Sequence, residues 1–159
     1  MSENKPTVKE LLTIEMVWWL ITAIITIAFL IPIWQNISNY PFWTENVIFI
    51  VVFITYARLI FLTRYSFLAH NIRLKFIFIA ITVPVVFLLI NELNQFQTFL
   101  DENGPSSIVG KRPLQEELSM ISYIHKQIMF FATASIISAV IMPFTMVVSI
   151  WKNHNKGTA

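Results

Sequence analysis

Cysteine is absent from this sequence, glycine is rare and charged residues are few, and each shortage excludes a class of protein or site. Without cysteine, the chain forms no disulfide and offers no thiolate to a metal or to a nucleophilic reaction. The three glycines lie outside the long apolar runs and form no glycine-rich phosphate loop. Charged residues make up only 13% of the chain, about half the usual share of a soluble domain. With a net charge of +2 and no dense basic run, a nucleic-acid partner is not expected.

Apolar residues, in contrast, make up 56% of the 159 residues and fall into four long runs. These runs are much longer than the roughly 4–8 residues of a buried strand, which argues against a parallel sheet. A helix of about 20 residues crosses the hydrocarbon core and satisfies its own backbone hydrogen bonds. We therefore predict an all-α integral membrane protein with one domain over residues 1–159 and four transmembrane helices in an antiparallel bundle.

Local signals predict where these helices begin and end. Thr7 and Glu10 have the spacing of a capping box, Pro41 suits the first turn of a helix, and Gly104 with Pro105 interrupts one. The first apolar run is followed by proline, tryptophan and glutamine rather than a small-residue cleavage site, so we expect a retained signal-anchor helix. The predicted helices cover residues 8–35, 42–66, 72–100 and 113–151, with an outer loop over residues 101–112.

The basic residues are distributed unevenly between the two sides of this arrangement. One side carries Lys5, Lys9, Arg58, Arg64, Arg73, Lys75, Lys152 and Lys156, whereas the other carries only Lys111, Arg112 and Lys126. Because cytoplasmic connections carry the excess of Lys and Arg, both termini are predicted to be cytoplasmic, an N-in/C-in topology. The pattern suits a bacterial inner membrane. All five tryptophans fall near predicted helix ends, as in an interfacial aromatic belt.

Helices 3 and 4 are longer than the bilayer requires and are predicted to extend beyond its outer surface. Apolar residues recur at helical spacing in both extensions. They are Leu89, Leu93, Phe96 and Leu100 at the end of helix 3, and Leu114, Leu118, Ile121 and Ile124 at the start of helix 4. Two such stripes beside one loop predict a projecting helical hairpin, and the alternative is a segment lying flat on the membrane surface. Either arrangement offers a surface to a partner.

A few costly polar residues are candidates for a specific role, since a charge at mid-helix costs about 2.5–3.5 kcal/mol to insert. Glu15 and Arg58 come to similar depth and are predicted to form an intramembrane ion pair, whereas Arg58 could instead extend to the headgroups alone. On the outer side, Glu92, His125 and Lys126 form a possible polar cluster. One interpretation is a proton-carrying pair or a shared metal site, and the other is a polar layer at the membrane surface. One histidine and one carboxylate do not make a metal site, so no metal and no cofactor are expected.

Small residues on helix 4 allow close helix packing, either within the bundle or against a partner. They are Ala132, Ser135, Ser138 and Ala139. Since no catalytic constellation is present, we expect an accessory or scaffold subunit rather than an enzyme. It would contact other membrane subunits or a second copy through helix 4 and the outer hairpin. The alternatives are an oligomeric small-solute transporter or channel, and a lipid- or quinone-linked membrane enzyme or redox subunit.

Overall fold

A computed structural model describes residues 7–63, 66, 68, 71–110 and 112–155, apart from the side chains of 153 and 154. These residues form no strand. Their five helices are α1 (Val8–Asn36), α2 (Trp43–Leu62), α3 (Ile72–Asn103), α4 (Ser106–Val109) and α5 (Leu114–Asn155). The four long helices α1, α2, α3 and α5 are each long and apolar enough to cross a membrane. The chain is thus an integral, multi-pass membrane protein, and the predicted all-α class with four spanning helices is confirmed.

The start of α1 has the capping box that the sequence predicts. The Thr7 N–H donates to Glu10 Oε2 at 2.7 Å, and the Glu10 N–H donates to Thr7 Oγ1 at 3.4 Å. This exchange satisfies two of the backbone donors that the first turn of a helix leaves unpaired. From there α1 continues through Pro32 and ends at Asn36, one residue beyond the predicted end.

The helix α2 ends at Leu62 rather than at residue 66. Just after it, the Thr63 hydroxyl donates to the carbonyl of Leu59, and the Leu68 N–H donates to Ser66 Oγ at 3.0 Å. Serine and threonine side chains that bond to nearby backbone compete with the helical pattern. The apolar composition around them gave no sign of this earlier end.

The segment predicted as the outer loop 101–112 is largely helical. The helix α3 continues to Asn103, and Gly104, with a φ of 75°, donates its N–H to the carbonyl of Leu100 at 2.9 Å. A positive φ at this position ends a helix at little cost only for glycine. The short helix α4 follows and buries Ile108 and Val109, each 4% exposed. The predicted loop is therefore a folded cap that packs on α5.

The helix α5 is the centre of the bundle and packs mainly against α2 and α3. Phe53 of α2 and Phe131 of α5 have ring centroids 5.9 Å apart, and Phe29 of α1 meets the same ring at 4.8 Å. Near the other end of α5, the ammonium of Lys75 on α3 donates to Ser149 Oγ at 2.9 Å. Each of the other three long helices therefore contacts α5.

The small residues of predicted helix 4, which is α5 in the structure, are buried inside the helix bundle. Ala132, Ser135 and Ala139 are fully buried, and Ser138 is 8% exposed. The Ser135 hydroxyl donates to the carbonyl of Ala132 at 2.8 Å, so this polar group is satisfied within its own helix. This placement matches close packing within the bundle, and these four side chains are not exposed to a partner.

Because this face is tightly packed, Ala139→Leu is expected to lower the free energy of unfolding. Overpacking of a core position costs typically about 1–3 kcal/mol. The matched control is Val140→Leu at the next residue, which is 47% exposed and should change stability by less than about 0.5 kcal/mol. Unfolding of the purified protein in mixed detergent micelles measures both variants. Equal stability of the two would contradict the buried placement of Ala139.

Candidate functional site

The structure brings Glu15 and Arg58 together. Glu15 lies two turns inside α1, and Arg58 lies one turn before the end of α2. Arg58 Nη2 and Glu15 Oε1 form an ion pair, in which the side chains are 9% and 23% exposed. At this burial each charge needs the other, because an uncompensated charge removed from water is strongly unfavourable. The guanidinium of Arg58 is therefore paired with a carboxylate of the same chain.

Trp18 completes the environment of this arginine. The guanidinium carbon of Arg58 lies 5.6 Å from the centroid of the Trp18 ring, a distance at which a cation and an aromatic face attract each other. Trp18 follows Glu15 by three residues, so both project from the same face of α1. One helix thus supplies the counter-ion and the aromatic surface for one cation. The three-residue spacing of Glu15 and Trp18 can be read from the sequence, but the tryptophans were predicted only to form an interfacial belt.

A cleft of about 160 Å³ opens beside the ion pair. We call it the charged cleft. Its walls, besides Glu15 and Arg58, include Trp18, Trp19 and Thr22 of α1, Thr55 and Leu59 of α2, and Phe78 of α3. The cleft therefore combines one charged pair and two threonines with aromatic and aliphatic side chains. Such a combination suits a molecule with a polar group at one end and an apolar body.

Hydroxyl groups on the three helices that form the charged cleft have hydrogen-bond partners. The hydroxyls of Tyr56 and Thr82 are 3.4 Å apart and connect α2 with α3. On α1, the Thr22 hydroxyl donates to the carbonyl of Trp18 at 2.8 Å. Of the described residues that line the cleft, only Glu15 and Arg58 carry a full charge.

Lys75 is a second buried cation, which the sequence analysis treated only as part of the charge pattern. Its side chain is fully buried and bonds to Ser149 of α5. Lys75 lies one turn inside α3, where a long side chain would ordinarily extend to the headgroups. Here it links the beginning of α3 to the last part of α5. No signal in the sequence pairs these two residues, which are 74 positions apart.

The outer polar residues are not joined in the structure. Glu92 is partly buried, whereas His125 and Lys126 are exposed. The His125 ring lies 6.4 Å from the ring of Phe96, centroid to centroid. In the described part of the chain, no hydrogen bond or ion pair connects Glu92 with His125 or Lys126, and no group of three or more Cys, His, Asp or Glu is placed to hold a metal.

Two further polar side chains, Asn46 near the start of α2 and Gln127 in α5, are buried, and the sequence did not predict them. The Asn46 amide, fully buried, donates to the Tyr40 hydroxyl at 3.3 Å. Asn46 Oδ1 and both amide atoms of Gln127 are buried without a hydrogen-bond partner. Burial raises the pKa of Tyr40, a rise that the bond from Asn46 reduces and the charge of Glu45 increases. The phenol therefore stays neutral at physiological pH.

No protein-family model, no curated protein and no solved structure matches this chain. Its function therefore has to be inferred from its own residues. Two features stand out, the charged cleft at one end of the bundle and the partly covered apolar stripe at the start of α5.

The ion pair predicts that Glu15→Gln destabilises the protein. Removing one partner of a fully buried pair costs about 3–5 kcal/mol, and an exposed pair contributes less than about 1 kcal/mol. Glu15 is 23% exposed, so an intermediate loss of roughly 1–3 kcal/mol is expected. Thermal unfolding in detergent measures the loss, with Glu92→Gln as the control carboxylate.

A double-mutant cycle with Arg58→Gln then isolates the pair. The double variant should lose less than the sum of the two single variants. Strictly additive losses would show that Arg58 gains nothing from Glu15.

Proposed function

We propose that this protein is a small accessory or scaffold subunit of a larger membrane complex. It would contact other membrane subunits through α5 and through the outer hairpin formed by α3, α4 and α5. The observation that carries this proposal is the exposure of Leu114 and Leu118, 71% and 53%, in the first two turns of α5. Polar and acidic residues flank them. Large apolar side chains in such a setting favour a protein partner.

The inner half of the same stripe is covered by the chain itself. Ile121 is partly buried and Ile124 is 1% exposed, beside Ile108 and Val109 of α4. The short helix α4 thus acts as a partner for two of the four stripe residues. Leu114 and Leu118 continue this stripe beyond α4, and a helix of another subunit laid along α5 would cover them in the same way.

The centre of the bundle supports this proposal over a transporter or channel. Ile33, Phe49, Ile50, Ile128 and Met142 are all fully buried where the helices meet. Transport sites are usually built from interrupted helices around a polar cavity. Large apolar side chains filling the middle of the bundle instead favour a structural or binding role.

We also infer that the bundle is antiparallel, with both termini cytoplasmic, in a bacterial inner membrane. The support is the grouping of Arg58, Lys75 and Lys152 near the helix ends that are proposed to be cytoplasmic. At the other end, Phe42 packs on Phe96 with ring centroids 5.1 Å apart, so two further turns of α3 extend past the start of α2. Lys5, Arg64, Lys111 and Lys156 also entered the predicted charge pattern but lie outside the described residues.

The projecting part of the hairpin is short. Arg112, just before α5, donates to Asn36 Oδ1 at the end of α1 at 3.4 Å. The beginning of α5 therefore lies beside the end of α1. The last turns of α3 and the helix α4 therefore form most of the projecting part, and α5 contributes little to it.

The topology predicts opposite labelling of two single-cysteine variants. Because the natural chain has no cysteine, Ser38→Cys and Lys152→Cys each introduce one thiol at an exposed position. A membrane-impermeant maleimide should label Ser38→Cys from outside intact spheroplasts. It should label Lys152→Cys only after lysis. The reverse pattern, or labelling of both from one side, would contradict the N-in/C-in topology.

The proposed partner surface predicts that the double substitution L114E/L118E releases co-purifying subunits. The charge added to the stripe would leave two carboxylates facing an apolar partner surface. The control Q115E/S119E adds the same two charges, at the same spacing, to neighbouring exposed positions. Purification in a mild detergent followed by native mass measurement compares the three proteins. The wild type and the control should retain partners that the stripe variant loses. A wild type found only as single 18.5-kDa chains would contradict the proposal.

A further inference from the structure

We propose that the charged cleft binds the headgroup of a membrane lipid that carries a phosphate and a primary ammonium, as in phosphatidylethanolamine. In this arrangement Arg58 binds the phosphate and Glu15 accepts hydrogen bonds from the ammonium. The inference does not depend on the accessory role, because it concerns a different end of the bundle. The argument follows from the position, the charges and the walls of the cleft.

The charged cleft lies near the end of α2, where we place the boundary between lipid headgroups and hydrocarbon. Arg58 is four residues before Leu62, the last residue of α2, which is roughly 6 Å along the helix axis. Trp18 and Trp19 line the cleft at this level, and the Trp19 side chain is 58% exposed. Tryptophan is enriched at this boundary because its ring is both apolar and polar. A lipid held here keeps its headgroup among the charges and its chains in the bilayer.

Glu15 and Arg58 retain hydrogen-bonding capacity beyond their mutual contact. A guanidinium has five N–H donors, and a carboxylate has two acceptor oxygens. The structure joins only Arg58 Nη2 with Glu15 Oε1. Among the described residues, no other hydrogen bond or ion pair engages the Arg58 guanidinium or the Glu15 carboxylate. Both residues line the cleft, and in the proposed complex their remaining donors and the second oxygen bind the ligand.

Arg58 and Glu15 present a positive and a negative group side by side. They favour a ligand with a negative group that faces Arg58 and a positive group that faces Glu15. Arginine binds phosphate oxygens well because its planar donors match their geometry. A purely anionic headgroup would place its negative charge beside the Glu15 carboxylate as well. A quaternary ammonium would have no N–H to donate to Glu15 Oε1 or Oε2. A primary ammonium next to a phosphate satisfies both residues, so the pair selects this headgroup.

The space and the walls of the charged cleft fit such a ligand. A single water needs about 10–15 Å³ of cavity volume, and the cleft offers about 160 Å³. Leu59 and Phe78 provide apolar surface beside the charges. Trp18 packs against the Arg58 guanidinium and limits its movement. The arginine is thus held in place before a ligand arrives, which lowers the entropic cost of binding.

Native mass spectrometry of the intact protein in mixed micelles tests the proposal. The micelles contain equal amounts of phosphatidylethanolamine, phosphatidylglycerol and phosphatidylcholine. The wild type should retain one phosphatidylethanolamine, with a preference of about tenfold or more over each other lipid. Arg58→Gln should weaken this retention roughly tenfold to a hundredfold, because a charged hydrogen bond to phosphate is lost. Glu15→Gln should abolish the preference over phosphatidylglycerol. The control Arg112→Gln, at the other end of the bundle, should behave as the wild type.

A second variant separates ligand binding from the stability of the ion pair. Thr55→Leu fills part of the charged cleft and keeps both charges of the ion pair, so it should reduce lipid retention and leave the melting temperature unchanged. Equal retention of all three lipids by the wild type would overturn the proposal. So would unchanged phosphatidylethanolamine retention in both Thr55→Leu and Arg58→Gln. Displacement of the lipid by an equal concentration of free phosphoethanolamine would also overturn it, since the site would then recognise a soluble phosphate amine.

Discussion

Hydrocarbon offers a peptide group no hydrogen-bond partner, so every backbone N–H and C=O inside a membrane must bond within the chain. In this protein that constraint produces four long helices and leaves few choices for the connections between them. It also explains why Pro32, Pro84 and Pro143 lie within helices that continue past them. A proline removes one backbone bond, but in the bilayer the chain has no alternative structure that would satisfy more of its polar groups.

The polar side chains follow the same constraint. The hydroxyls of Thr22 and Thr26 each donate to a carbonyl one turn earlier in α1, and so require no partner from outside the helix. Charges cannot be satisfied in this way, and Arg58 is therefore paired with a carboxylate from another helix. Among the described residues, Glu45, Asn46 and Gln127 are the exceptions, since each has a buried side-chain atom without a hydrogen-bond partner. Such atoms cost about 1–3 kcal/mol each, so these positions are unfavourable within the interior.

The sequence predicted those features that depend on neighbours along the chain or on depth in the membrane. The capping box of Thr7 and Glu10 needs only local spacing, and the approach of Glu15 to Arg58 follows from two helices joined by a short link. The sequence did not predict α4, because the burial of Ile108 depends on its packing against α5. The predicted cluster of Glu92 and His125 rested only on their similar depth along α3 and α5. Contact requires the right rotation of each helix as well, and the structure places the ring of Phe96 beside His125 instead.

The two ends of the bundle are each incomplete in a different way. At one end, Glu15 and Arg58 line the charged cleft, where we propose that a lipid headgroup binds. At the other, Leu114 and Leu118 remain exposed although the chain covers the rest of their stripe. Fully burying one leucine contributes about 1.5–3 kcal/mol, so covering both is comparable to a large share of the 5–15 kcal/mol by which a typical domain is stable. In the proposed complex a second protein covers this surface. Lipid at one end and protein at the other would then complete the same helices, with α5 connecting the two.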